Sequence, residues 1–157
     1  MAEKTENSCD DKQVSEIRQM PNLWLRKLAT ILFVWDLDND GYAGNDDMMN
    51  IADKIIQVGN FNGKSGDNII NFYRDIIKHT SDNPSSEVVK ATSLSEQLVA
   101  AWRVKDNPDT VKLWCKVYSD MFKVIDFNAT GFLTFDQYLV FWNTFNLDRR
   151  FAKMQFD

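Results

Sequence analysis

The chain has 157 residues, a formal net charge of −5, and 44% apolar and 13% aromatic residues. That is enough apolar surface for one compact domain, and an acidic balance without a basic stripe excludes a phosphate-binding nucleic-acid surface. Cys9 and Cys115 are too few for a disulfide framework and suit a reduced cytoplasmic setting, and no apolar run reaches the roughly 20 residues of a transmembrane helix.

Residues 1–19 are polar and lack the apolar stretch of a secretory signal. They read as a mobile tail, which leaves 20–157 as the folded domain. The first predicted helix runs from Asn22 to Trp35, opened by Pro21 and Asn22. Leu25, Leu28, Leu32 and Trp35 recur at three- and four-residue spacing, so one face is apolar.

That helix leads into the most informative stretch, Asp36-Leu37-Asp38-Asn39-Asp40-Gly41-Tyr42-Ala43-Gly44-Asn45-Asp46-Asp47. Carboxylates stand at positions 1, 3, 5 and 12 of this segment, and a glycine stands at position 6. A hard divalent cation takes about six to eight oxygens, so alternate side chains of a short loop must converge on one point. Gly41 permits the sharp turn, because a positive φ is cheap only without a Cβ. The Tyr42 carbonyl supplies the seventh-position oxygen, and Gly44 contributes at the ninth only through water. The pattern is that of an EF-hand loop closed by Asp47 in place of the expected Glu. Aspartate is one methylene shorter, so bidentate closure on Ca²⁺ is harder and Mg²⁺ is better tolerated. A mixed Ca²⁺/Mg²⁺ site is therefore expected.

Met48, Ile51, Ala52, Ile55 and Ile56 then form an exiting helix, completing a first hand over 22–58. Residues 59–66 read as a flexible connector. A third helix is predicted from Asp67 to His79, a break over 81–86, and a fourth helix ending near Val104. Between these two helices, residues 80–95 lack the acidic spacing and any glycine, and Pro84 restricts the backbone. Hand two, 67–105, is thus degenerate. Asn107 and Pro108 open a fifth helix, Pro108–Ile125, which carries Cys115 on its apolar face, where burial is expected.

A second recognisable loop follows over 126–137. Asp126, Asn128, Thr130, the Phe132 carbonyl and Gln137 occupy its ligand positions, and Gly131 its turn. Asp126 is the single charged ligand, and a neutral amide at Gln137 brings less attraction and one oxygen, so this loop is expected to be weak or inactive. The exiting helix, Phe135–Phe145, completes hand three over 108–145. Residues 147–157 read as the partial entering helix of a fourth hand, left incomplete where the sequence stops at Asp157.

From about Asn22 onward the sequence resembles invertebrate sarcoplasmic calcium-binding proteins and their calexcitin relatives, which share their fold with coelenterazine-binding photoproteins. The resemblance rests on the acidic run at 36–41, the long insertion before a divergent second hand, and the aromatic residues from Trp114 to Phe145. It implies an all-α array of helix–loop–helix hands in one compact globule, with Asp36, Asp38, Asp40, Tyr42 and Asp47 as metal ligands. A homodimer or an exposed groove would then make up the contacts of the incomplete fourth hand.

Three function classes follow. A sensor exposes apolar surface to a protein target when Ca²⁺ binds, whereas a buffer barely changes shape; a carrier of an apolar small molecule could use the same fold. Enzymatic chemistry has no support, since the single histidine, His79, stands near a helix end with no partner constellation.

Overall fold

The computed structural model describes residues 7–81 and 86–157, and among these the chain is all-helical with no strand. The elements are α1 (Asn7–Gln19), α2 (Asn22–Trp35), α3 (Asn45–Gly59), α4 (Gly63–Ser81), α5 (Ser86–Lys90), α6 (Leu94–Val104), α7 (Pro108–Ile125), α8 (Phe135–Thr144), a 3₁₀ turn (Arg149–Phe151) and α9 (Ala152–Phe156). No helix among the described residues is long and apolar enough to cross a membrane.

Helix α3 is the centre of the packing. Its Ile51, Ala52 and Ile55 fall on one face at three- and four-residue spacing, and all three are buried with Ile69 and Tyr73 of α4 and Phe145, which follows α8. A second cluster joins Leu32 of α2, Ala43 of the first loop and Leu98 of α6. Trp35, at the end of α2, packs against both clusters. The first loop thus leaves a helix anchored in one cluster and enters a helix anchored in the other.

Helix starts follow local chemistry. Ser93 caps α6 by accepting the Glu96 N–H at 3.3 Å, and Asn107 caps α7 by accepting those of Asp109 at 2.9 Å and Thr110 at 3.2 Å. These bonds satisfy donors that the helix itself leaves open.

Several expectations change. The polar segment read as a tail is helical from Asn7 to Gln19 and packs on α6; residues 1–6 lie outside the described residues. Its inward face is sparse, with Gln13, Glu16 and Ile17 partly buried and Met20 buried at its end. An ion pair supplements that face, with Arg103 Nη2 of α6 donating to Glu16 Oε1 at 2.8 Å and Nε donating to Oε2 at 3.0 Å. The connector at 59–66 shortens to residues 60–62, because α4 begins at Gly63 and buries Gly66. Pro84, in the segment read as a degenerate second hand, lies outside the described residues. Cys115 is exposed rather than buried: the apolar face of α7 borders an open groove at this point. The exiting helix closes at Thr144, one residue early, and the last segment opens with the 3₁₀ turn.

Burial and helix position together set the cost of truncation. Ile55→Ala, at a residue 2% exposed, is expected to cost about 2–5 kcal/mol. Val58→Ala, on the same helix at 39% exposure, should stay within about 0.5 kcal/mol. Urea unfolding of both variants measures the contrast.

Candidate metal centre

The first loop is built by handing backbone amides to carboxylates in sequence. Asp36 ends α2, its N–H making the last helical bond to Leu32 O at 2.9 Å. Its side chain turns inward and is 8% exposed. There Oδ1 accepts the Asp40 N–H and Oδ2 the Gly41 N–H, each at 3.1 Å. Asp38 Oδ1 also accepts from Asp40 at 3.1 Å, and Asp40 Oδ1 accepts from Tyr42 at 3.2 Å. Gly41 holds φ at 103° and Asn39 at 61°, values that favour glycine and asparagine.

Asp47 closes the ring. It sits in the first turn of α3, 1% exposed. Its Oδ1 accepts the N–H groups of Leu37 at 2.8 Å and Asp38 at 3.4 Å, and its Oδ2 accepts that of Gly44 at 2.8 Å. The shorter side chain, read as a weaker bidentate ligand, thus reaches the amides at both ends of the loop. A carboxylate offers about four lone-pair sites, so three such bonds leave it able to take part in a cation shell.

Asp36, Asp38, Asp40 and Asp47 each bring a carboxylate oxygen into one group whose members lie within 4.8 Å of one another. Such a set could hold a metal ion: the donors are all hard oxygens, which suit Ca²⁺ or Mg²⁺. The local field agrees. A hydrogen bond from Asp40 lowers the Asp38 pKa, but desolvation and the charges of Asp47, Asp40 and Asp46 outweigh it, leaving that carboxyl above its ordinary value. The Tyr42 phenol is likewise pushed up, first by Asp40, then by desolvation, Asp46 and Asp38.

Comparison with known proteins finds no matching family model, no matching curated protein and no matching solved structure. The site therefore rests on its own geometry.

The second loop repeats the first in its backbone. Ala129 and Gly131 hold φ at 53° and 79°, at the positions of Asn39 and Gly41. Asp126 accepts the Thr130 N–H at 3.2 Å and the Gly131 N–H at 2.7 Å, as Asp36 does for its own loop. The ligand positions differ in what they face. Gln137, 2% exposed, accepts the Thr134 N–H through Oε1 at 2.7 Å and donates to Asn128 Oδ1 at 3.2 Å. The Thr130 hydroxyl lies 2.9 Å from the Phe132 carbonyl and donates toward it. Asn128, Thr130, Phe132 and Gln137 thus close this loop by bonding one another around Asp126.

One residue escapes a motif search. Gln97 of α6 is 1% exposed and grips Ala43, the residue after Tyr42, by both backbone groups. Its Oε1 accepts the Ala43 N–H at 3.0 Å and its Nε2 donates to the Ala43 carbonyl at 2.7 Å. The available signal is a neutral polar residue beside the apolar run Leu98-Val99-Ala100-Ala101, which marks burial without naming a partner.

Charge repulsion within the loop has a measurable sign. Because the folded-state pKa of Asp38 is raised above 3.8, this group favours the fold below that value and loses its contribution as pH rises through the folded pKa. Asp38→Asn should therefore raise the ion-free melting temperature at pH 7 while weakening cation binding by about tenfold or more. Thermal scans with chelator and with cation check both halves.

Proposed function

We propose that this chain is a cytoplasmic EF-hand Ca²⁺-binding protein of the sarcoplasmic calcium-binding protein and calexcitin type, acting in signalling rather than catalysis. The observation that carries the reading is the convergence of Asp36, Asp38, Asp40 and Asp47 within 4.8 Å on a loop between two helices. The spacing of these residues suits a hard cation, and the fold brings their four carboxylates together. The Tyr42 carbonyl completes the proposed set. The loop at 126–137 orients α7 and α8 and binds weakly or not at all, since its polar groups bond each other.

A sensor is favoured over a buffer because one effective site stores little Ca²⁺. A sensor also needs apolar surface for a protein target. An open groove of ≈ 350 Å³ between α2, α6 and α7, lined by Trp24, Leu28, Ile31, Trp114 and Tyr118 among others, suits that need. The same groove supports the second reading, a carrier of an apolar small molecule. It shares Leu32, Trp35, Val88 and Trp114 with a smaller interior space beside Ala43 and Gly44. Groove size and lining are those of small-molecule sites.

Calorimetry should find one Ca²⁺ site in the wild type, with affinity lowered by millimolar Mg²⁺. Asp36→Ala should weaken it by about 100-fold, equivalent to about 2.7 kcal/mol. Ca²⁺ binding indifferent to Mg²⁺ would sink the mixed-site reading. A second site surviving in Asp36→Ala would place binding at Asp126. Increased fluorescence of an apolar dye on adding Ca²⁺ supports the sensor, no change supports a buffer, and an apolar compound released on denaturing the purified protein supports the carrier.

A further inference from the structure

Ala43 is held on both of its peptide planes. The Tyr42–Ala43 peptide donates its N–H to Gln97 Oε1 at 3.0 Å. A trans peptide points its carbonyl opposite to its N–H, and no cis bond occurs among the described residues. Fixing the Ala43 N–H therefore fixes the Tyr42 carbonyl and directs it away from Gln97. The next peptide, Ala43–Gly44, is held at both ends: its carbonyl accepts from Gln97 Nε2 at 2.7 Å, and its N–H donates to Asp47 Oδ2 at 2.8 Å. The second proton of the Gln97 amide goes to the Val88 carbonyl of α5 at 3.2 Å. A hydrogen-bonded chain thus runs from α5 through Gln97 and Ala43 to Asp47.

We propose that Gln97 is a positioning residue for the cation loop: it sets the direction of the Tyr42 carbonyl and links closure of Asp47 to the α5–α6 segment. This rests on the reading of the Asp36–Asp47 loop as a cation site. The side chain suits the task because a primary amide carries one acceptor and two donors, and all are used here with the side chain 1% exposed. Donation by the Ala43 N–H also polarises its peptide, making the Tyr42 oxygen a better ligand. Leucine fills similar volume and can do neither.

The test compares wild type, Gln97→Leu, Gln97→Glu and Ile69→Val, a core control on α4 whose side chain makes no hydrogen bond to the loop. Ca²⁺ affinity is read by calorimetry, with the Tyr42 carbonyl ¹³C shift followed through the titration. Gln97→Leu should bind Ca²⁺ about 10–100-fold more weakly, and its Tyr42 carbonyl should lose the Ca²⁺-induced shift expected of the wild type. Gln97→Glu keeps the acceptor but loses both amide donors, and should weaken binding by about tenfold even where the leucine variant fails to fold. Ile69→Val should melt lower with unchanged affinity. Wild-type binding with unchanged affinity in the Gln97 variants overturns this inference alone, as does an equal loss in Ile69→Val. No Ca²⁺ binding by the wild type overturns the loop reading and this inference with it.

Discussion

The first loop depends on Asp47 reaching back across it. Three backbone N–H groups, those of Leu37, Asp38 and Gly44, converge on one carboxylate that is 1% exposed. This single side chain ties the exit of α2 to the entrance of α3. It holds the loop closed although its own charge, with those of Asp40 and Asp46, adds to the repulsion that raises the Asp38 pKa. The aspartate gives up reach and gains bonds to the amides at both ends of the loop.

The hydrogen-bonded frame extends outward from there. Gly44 connects Asp47 to the Ala43 peptide, Gln97 connects that peptide to α6, and Leu98, one residue on, lies in the cluster with Leu32 and Ala43. Trp35 links this cluster to the α3–α4 core. The loop is thereby fastened to both apolar clusters rather than hanging from two helix ends. The second loop shares the backbone but satisfies itself, with Gln137 bonding Asn128 and Thr130 bonding the Phe132 carbonyl. Two loops of one shape thus divide along a chemical line, one presenting four carboxylates and the other a closed neutral network around Asp126.

Sequence spacing carried the helices and the four carboxylates, because both depend on periodicities local to the chain. Leu25 to Trp35 and Met48 to Ile56 show their faces at the helical period, and a twelve-residue loop can bring its alternate side chains to few places. What spacing missed depends on partners distant in sequence. Helix α1 has a thin apolar face, completed by Arg103 of α6. Cys115 lies on an apolar stripe that borders a groove where burial was expected. Gln97 meets Ala43 across 54 positions, and nothing near either residue announces the other. The direction in which Asp47 turns is a matter of one methylene, beyond what a motif position encodes.

The most direct test of the account is an amide NMR titration of the full chain with Ca²⁺, following Gly41, Ala43 and Gly131 together. Gly41 and Ala43 should shift and saturate at one equivalent while Gly131 stays still, the mark of an ion held by the first loop alone. A stationary Gly41, or a Gly131 that moves in step with it, would contradict the claim that the four-carboxylate loop alone binds.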